Sequence, residues 1–314
     1  MKLAVIFPGQ GSQSAGMGRD LAENFSEAKA VFDEVDEALG EKLSSIIFDG
    51  PDETLTLTVN AQPALMAVSI AALRALEARG FSLEKSAAYV AGHSLGEYSA
   101  LCAAGALSLA DCARLLRIRG DAMQMAVPVG KGAMAAIIGL EQSDVEAICA
   151  QNAGEQCCQI ANDNGGGQLV ISGSKEAVEK AAEMATQKGA KRAIILPVSA
   201  PFHSALMAPA AEKMKAALDE ATVNAPLVPL ISNVTAAPVS DPDAIRAQLV
   251  EQVTGQVRWR ESVEFLAANG VTHALETGSG KVLTGLGRRI SRDIKGLAAG
   301  SAADIDKVME ALAQ

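Results

Sequence analysis

A serine flanked by glycines is the feature of this sequence best suited to covalent chemistry. Residues 92–96 read Gly-His-Ser-Leu-Gly, with Ser94 at the centre of the pattern Gly-x-Ser-x-Gly. A short apolar run, residues 87–91, precedes the motif, and a helix-forming run, residues 97–104, follows it. A strand, a sharp turn and a helix in that order expose a nucleophilic hydroxyl, because the glycines leave room for the turn. We therefore predict that Ser94 is a nucleophile; an ordinary tight turn is the alternative.

Two backbone N–H groups are candidates to stabilise a developing oxyanion. Leu95 follows the serine at the start of a predicted helix, where free N–H groups and the helix dipole favour negative charge. Gln10 lies in the turn Phe-Pro-Gly-Gln-Gly-Ser-Gln, residues 7–13, after the first apolar strand. This turn is not a dinucleotide-binding fingerprint, because Ser14 stands where the third glycine belongs, and no phosphate-binding Gly-Lys-Ser/Thr follows. An oxyanion loop is the functional interpretation, and a plain strand-to-helix turn is the alternative.

A serine nucleophile needs a base, and the chain has three histidines. His203 lies in a loop after a predicted strand and just before a helix, where the helix dipole helps to keep the imidazole neutral. His93 adjoins the serine, and we expect its side chain to point away and pack under the turn. His273 lies in an apolar strand and is more typical of a core histidine. The pattern favours His203 as the base, with His273 as the alternative.

Two polar side chains fall on helix faces that are otherwise apolar. Arg119 follows Leu116 by three residues and precedes Met123 by four, so it belongs to the buried stripe of a predicted helix, residues 109–125. A buried guanidinium needs a partner, and a carboxylate can bind it with two hydrogen bonds. That carboxylate is either a substrate's or the protein's own. Gln252 also faces inward, and its side-chain amide could orient a histidine or simply bond backbone groups in the core.

The elements that must position these residues alternate in a regular way. Apolar runs and helical stretches alternate in residues 1–127, with helices predicted over residues 21–39 and 63–79, and again from residue 199. This alternation predicts an α/β domain with a parallel sheet and crossover helices. Between them the order of predicted elements is β-α-β-β-α-β, the ferredoxin-like pattern, with its last strand over residues 192–198. We predict a large catalytic domain, residues 1–127 plus 199–314, and a small inserted subdomain, residues 128–198.

Composition and charge narrow the class of protein. With 314 residues and 49% hydrophobic residues the chain can bury a large core, and its net charge of −10 argues against nucleic-acid binding. We expect neither a membrane span nor a signal peptide, and hence a cytoplasmic protein. Five cysteines without paired spacing predict free thiols rather than disulfides or a zinc site. Two basic clusters could meet an acidic partner or could simply be solvated; they contain Lys188, Lys191 and Arg192, and Lys281, Arg288, Arg289 and Arg292.

Four motifs in this order resemble the malonyl-CoA:acyl carrier protein transacylase family of bacterial fatty-acid synthesis. They are the turn at residues 7–13, Gly-His-Ser-Leu-Gly-Glu-Tyr-Ser-Ala from residue 92, Pro-Phe-His-Ser from residue 201, and Gly-Lys-Val-Leu-Thr-Gly-Leu from residue 280. The resemblance spans nearly the whole chain. It implies a hydrolase-like α/β core with a ferredoxin-like subdomain.

The resemblance also implies a reaction and a set of roles. Malonyl-CoA would acylate the serine, the malonyl group would pass to an acyl carrier protein, and no metal or prosthetic group is implied. We also expect a monomer, with the acidic carrier protein docked on one of the basic clusters. The family's nucleophile and base fall on Ser94 and His203, and its histidine-orienting glutamine falls on Gln252. Its carboxylate-binding arginine falls on Arg119, and its oxyanion donors fall on Gln10 and Leu95. The rival functions are a hydrolase that uses His273 and a carrier-binding module without activity.

Overall fold

A six-stranded sheet organises the larger part of the chain in the computed structural model, which describes residues 1–153 and 156–313. Its strand order is β10-β9-β1-β2-β7-β8, and all neighbours are parallel except β7 and β8. The strands of this sheet are β1 (Leu3–Phe7), β2 (Ala87–Gly92), β7 (Leu230–Ile231), β8 (Pro238–Val239), β9 (His273–Thr277) and β10 (Lys295–Ala299).

A second sheet lies between β2 and β7 in the sequence, and its four strands pair in the antiparallel order β4-β5-β3-β6. Its strands are β3 (Gly132–Ile138), β4 (Cys158–Asp163), β5 (Gln168–Ser174) and β6 (Arg192–Ile195). Two helices, α9 (Gln142–Ala153) and α10 (Lys175–Gln187), connect them in the predicted β-α-β-β-α-β order. The ferredoxin-like fold predicted for this segment is therefore confirmed, whereas the division into two domains stays a prediction.

Fifteen helices lie among the described residues. They are α1 (Arg19–Asn24), α2 (Ser26–Leu39), α3 (Leu43–Asp49), α4 (Asp52–Thr56), α5 (Thr58–Ala78), α6 (Leu83–Ser86), α7 (Gly96–Ala103), α8 (Leu109–Ala126), α9 (Gln142–Ala153), α10 (Lys175–Gln187), α11 (Ala208–Glu220), α12 (Pro242–Thr254), α13 (Trp259–Ala268), α14 (Val282–Ile290) and α15 (Ala302–Leu312). A 3₁₀ turn, Ala205–Met207, precedes α11.

Strand β1 shows why the larger sheet is covered on both faces. Alternate side chains of a strand point to opposite faces. Leu3, Val5 and Phe7 belong to the main core, and Ala4 and Ile6 belong to a second core. The main core contains α2, α5, α7 and α8, whereas the second contains α13 and α14. Parallel strands buried on both sides are typical of α/β folds, so the predicted fold class is confirmed.

Helix α5 differs from its prediction, which had it begin at Pro63. It begins at Thr58, with Pro63 inside it. A proline has no N–H to bond the carbonyl group four residues earlier. Here that carbonyl, of Val59, accepts a hydrogen bond from Arg117 Nη1 at 3.0 Å. The long-range partner that makes the interior proline tolerable is not visible in local sequence.

The same helix is long and apolar enough to cross a membrane by length and composition. However, 89% of its most apolar window is buried inside the protein. It is therefore the central helix of the main core.

Other elements also differ from their predicted bounds. A single helix predicted over residues 21–39 is divided into α1 and α2, because Phe25 takes an extended conformation and its ring enters the core. The last strand of the small sheet, predicted to reach residue 198, ends at Ile195. The predictions missed β10, α14 and α15, since the apolar stretches there are short and interrupted by charged residues and glycines.

Candidate active site

The turn that carries Ser94 is shaped by two very close backbone approaches. A Cβ atom at Gly92 would lie 1.9 Å from the carbonyl oxygen of Gly96, and one at Gly96 would lie 2.3 Å from the carbonyl oxygen of Phe7. Both glycines are therefore required by space. The left-handed conformation, with φ of 54°, falls on Ser94 itself, so the strain of the turn is carried by the residue predicted to be the nucleophile.

Asn233, which the sequence reasoning missed, holds this strained turn from outside the motif. Its side-chain oxygen accepts the Ser94 N–H at 2.8 Å, and its amide nitrogen donates to the Gly92 carbonyl oxygen at 2.6 Å. The residue is buried and follows β7, which pairs with β2. A polar Ser-Asn pair directly after a buried parallel strand was the available signal, since strand carboxyl ends gather at one edge of such a sheet.

The structure brings Ser94 and His203 into direct contact. The Ser94 Oγ atom lies 2.7 Å from His203 Nε2, and His203 Nδ1 lies 2.8 Å from the main-chain oxygen of Gln252. A carbonyl oxygen only accepts, so Nδ1 carries the proton and the lone pair of Nε2 faces the serine hydroxyl. This tautomer is the one a general base needs.

The prediction for the Gln252 side chain was wrong in one respect: its amide does not contact His203. The main-chain carbonyl does, because Gln252 lies in the last turn of α12, where carbonyl groups have no partner inside the helix. The side-chain oxygen instead accepts a hydrogen bond from Arg119 Nη2 at 2.8 Å. The amide nitrogen donates to the Ser94 carbonyl oxygen at 2.9 Å and to Glu97 Oε2 at 2.6 Å.

The environment of His203 keeps it unprotonated. Burial, together with the nearby positive charge of Arg119, lowers the pKa of His203 to about 3. The sequence reasoning attributed neutrality to a helix dipole, whereas desolvation is the larger cause. The ring is therefore neutral at ordinary pH and free to accept the serine proton.

Arg119 is buried on the inner side of α8, as predicted, and has no acidic partner within the described residues. Its Nη1 donates to Gln62 Oε1 at 2.7 Å, and its Nη2 lies 3.1 Å from Ser94 Oγ in addition to bonding Gln252. Among the described residues, Nε has no hydrogen-bond partner and no ion pair includes the guanidinium. A protein carboxylate, the alternative partner considered from sequence, is therefore absent from the described contacts.

Gln62 is a second residue that the sequence reasoning missed. It is a buried polar side chain in the most apolar helix of the chain, α5, and that contrast was its signal. Its amide nitrogen donates to Thr58 Oγ1 at 3.1 Å, which leaves its oxygen directed at Arg119. An uncharged acceptor thus holds the guanidinium without neutralising it.

A cavity of about 460 Å³ is lined by Gln62, Arg119 and His203. Segments that follow strands of the larger sheet form one side of it, including Gln10, Ser94 and Leu95. Strands β3 to β5 and residues 196–198 form another side. Helix α14 lines the mouth of the cavity, where Arg289 is exposed. Within residues 1–153 and 156–313, the N–H groups of Gln10 and Leu95 have no hydrogen-bond acceptor, so both remain available to a ligand.

The remaining histidines take other positions. His93 lines the cavity instead of packing under the turn, and its Nε2 lies 2.9 Å from Asn164 Oδ1 at the end of β4. His273 is partly exposed and bonds Thr272 Oγ1 at 2.9 Å. It begins β9, at the opposite end of the parallel sheet from Ser94, so the expectation of a core histidine was wrong and it does not contact Ser94.

Comparison with known proteins identifies the family of the chain. Residues 5–285 match the acyl transferase domain family. The chain is 48% identical over 312 residues to the malonyl CoA-acyl carrier protein transacylase of Bacillus subtilis, covering 99% of this chain and 97% of that protein. The chain belongs to the malonyl CoA-acyl carrier protein transacylase family.

Solved structures of malonyl CoA-acyl carrier protein transacylases and related enzymes have the same fold. The acyl-carrier-protein S-malonyltransferase of Bartonella henselae superposes with a TM-score of 0.98 at 63% identity, with full coverage of both chains. A malonyl-transacylase solved with a type II polyketide synthase acyl carrier protein superposes with a TM-score of 0.96 at 42% identity, covering 99% of this chain and all of that one. The chain is an acyltransferase.

Proposed function

We propose that this acyltransferase moves the malonyl group of malonyl-CoA to the phosphopantetheine thiol of an acyl carrier protein, through an ester on Ser94. The names of its relatives state the substrate and the acceptor, and the contact between Ser94 and His203 supports the covalent route. The product would supply malonyl units to fatty-acid synthesis. The proposed reaction takes place in the cytoplasm on a monomer and requires no metal or prosthetic group.

In the first half-reaction the serine is acylated. His203 Nε2 accepts the proton of the Ser94 hydroxyl as Oγ attacks the thioester carbonyl carbon. The N–H groups of Leu95 and Gln10 stabilise the tetrahedral oxyanion. The carbon–sulfur bond then breaks, and the CoA thiolate leaves with the proton from His203.

In the second half-reaction the carrier protein accepts the group. The phosphopantetheine thiol gives its proton to His203, and the sulfur attacks the ester carbonyl carbon. The carbon–oxygen bond to Ser94 breaks, and the proton returns from His203 to Oγ. The main-chain carbonyl of Gln252 holds the imidazole in one orientation through both halves.

The observation that carries the proposal is the unpaired charge of Arg119 beside the nucleophile. A buried cation 3.1 Å from Ser94 Oγ is costly unless an anion arrives to pair with it. The free carboxylate of a malonyl group is such an anion, and the fork of the guanidinium suits it. A hydrolase acting on uncharged esters would gain nothing from this charge.

One of the two basic clusters adjoins the cavity, which supports the proposal that the carrier protein docks there. Helix α14 supplies Arg289 to the cavity mouth, and its cationic residues have no carboxylate within ion-pair distance among the described residues. In the other cluster, Lys188 is paired with Asp144 at 2.8 Å, and none of its members lines the cavity. We therefore assign docking to the α14 basic cluster, defined as Lys281, Arg288, Arg289 and Arg292.

Intact-mass measurement tests the covalent step. Mixing the protein with malonyl-CoA should add one malonyl group to the wild-type chain and none to Ser94→Ala. Adding carrier protein with its phosphopantetheine should then remove the label and place it on the carrier. Equal labelling of the two proteins, or no labelling of the wild type, would end the proposal.

A further inference from the structure

Glu97 is a buried carboxylate behind the site, and it takes no direct part in the proposed acyl transfer. It is the second residue of α7, three positions after Ser94, and is 1% exposed. Its Oε1 accepts the Asn233 N–H at 3.2 Å, and its Oε2 accepts the Gln252 Nε2–H at 2.6 Å. Both partners in turn hold Ser94, so the carboxylate lies at the centre of the supports of the turn.

The amide of Gln252 is fully used by its surroundings. Its two N–H bonds go to Glu97 and to the Ser94 carbonyl oxygen, and its oxygen accepts from Arg119. Rotating the amide by half a turn would direct N–H groups at a guanidinium, which has no acceptor. The carboxylate accepts only, so it permits one orientation of the amide.

We propose that Glu97 is a positioning residue for substrate selection: through the Gln252 amide it holds Arg119 in place while leaving the guanidinium unpaired for the substrate carboxylate. This inference rests on the proposed malonyl transfer. A carboxylate in direct contact would hold Arg119 too, but it would also occupy the place of the substrate. The interposed amide transmits orientation and keeps the two charges apart.

The charged surroundings of Glu97 agree with this role. Burial raises the pKa of Glu97 to about 7, and the bonds from Gln252 and Asn233 and the charge of Arg119 oppose the rise. Tyr98 is the other titratable side chain against it. Glu97 is therefore ionised, and accepts from both N–H groups, above about pH 7.

The test replaces the carboxylate by a group of the same shape. In Glu97→Gln the new side chain has only one acceptor for two N–H groups, so the Gln252 amide loses its fixed orientation. We expect kcat/KM for Ser94 acylation by malonyl-CoA to fall about ten- to a hundredfold, the size of a lost hydrogen bond to a charged group. Acylation by acetyl-CoA, which has no carboxylate, should fall much less. Equal losses for the two thioesters would overturn the proposal.

A second variant covers the case in which Glu97→Gln does not fold. Gln252→Met keeps the main-chain carbonyl that orients His203 but removes the amide between Glu97 and Arg119. It should show the same selective loss with malonyl-CoA. An unchanged ratio of malonyl to acetyl acylation in this variant would also overturn the proposal.

Glu276→Gln is the matched control. Glu276 is also a fully buried glutamate with a raised pKa, and it accepts the N–H groups of Leu283 and Thr284 at the start of α14. Its replacement should leave the ratio of malonyl to acetyl acylation unchanged. If that ratio changed as much as in Glu97→Gln, the effect of Glu97 would be one of general destabilisation. Failure of malonyl transfer itself would appear separately, as an unlabelled wild-type protein.

Discussion

Arg119 affects the catalytic base as well as the substrate. Its charge is one reason that the pKa of His203 is low, and a weak base is a disadvantage for deprotonating a serine. A bound malonyl carboxylate would neutralise the guanidinium and let the pKa of His203 rise towards its ordinary value. On this account the substrate strengthens the base that activates Ser94, while burial, the larger cause, still holds the pKa of His203 below its ordinary value.

Replacing Arg119 separates these contributions. In Arg119→Ala we expect kcat/KM for malonyl-CoA to fall by about a hundredfold or more, since a buried charge pair is lost. The kcat/KM for acetyl-CoA should fall much less, because acetyl-CoA has no carboxylate and His203 becomes a stronger base without the Arg119 charge. The measurement is the rate of acyl-enzyme formation with each thioester.

Arg117→Ala is the control for this change. Arg117 lies on the same helix and bonds the Val59 carbonyl oxygen and Asn60 outside the cavity. It should lower stability without altering the preference between thioesters. Parallel losses for both thioesters in Arg119→Ala would assign that residue a structural role.

The protonation of His203 gives a prediction for the free protein. Because burial holds its pKa near 3, nitrogen-detected NMR should show a neutral His203 ring throughout pH 5 to 8. The unfolded chain accepts this proton near pH 6.5. This residue therefore removes stability as pH falls below 6.5 towards 3. A ring that titrates near pH 6.5 in the folded protein would contradict the assigned environment.

At the scale of elements, the strand-turn-helix unit around Ser94 depends on the absence of a side chain at Gly92. In Gly92→Ala the Cβ atom would meet the main chain of Gly96, which cannot move without displacing α7. We expect a loss of about 3 kcal/mol or more in unfolding free energy and loss of acyl-enzyme formation. Thermal unfolding and mass labelling measure the two effects.

Gly285→Ala is the matched control for this substitution. Gly285 lies within α14, and a Cβ atom there would meet nothing within 4 Å. The change should be neutral or add about 0.5 to 1 kcal/mol, as alanine does in helices. Similar behaviour of the two variants would show that the turn is not tightly packed.

The elements also show what the sequence could and could not predict. The turn at Ser94 could be predicted because the motif and its flanking strand and helix are all local in sequence. The burial of Arg119 could be predicted from helical spacing. The contacts of Asn233 with the turn and of the Gln252 main-chain carbonyl with His203 could not be predicted, because both depend on how distant segments meet. The break at Phe25 was hidden because a core contact, rather than a local signal, creates it.

Docking of the carrier protein on the α14 basic cluster predicts that charge changes in this cluster slow only the second half-reaction. The variant Arg288→Glu/Arg289→Glu should raise KM for the carrier protein about tenfold or more, since like charges across an interface repel an acidic partner. The rate of transfer from preformed malonyl-enzyme, followed against carrier concentration, measures this. Higher salt should reduce the difference in KM between this variant and the wild type, because it screens the charges.

Lys188→Glu/Arg192→Glu is the control from the other basic cluster. It changes the net charge by the same amount but lies away from the cavity mouth. Its KM for the carrier should stay close to that of the wild type. A larger effect in this variant than in the α14 variant would move the docking site to the smaller sheet.

The cavity wall formed by the smaller sheet and the residues that follow it bears on how substrate preference can evolve. Met134, Ala136 and residues 196–198 face the space that an acyl group enters, whereas the nucleophile and its supports come from elsewhere in the chain. After gene duplication, one copy can accumulate substitutions in this wall and acquire a different acyl preference while its bond-making residues stay intact. The segment that carries the smaller sheet would then be the part of the gene in which new paralogues diverge first.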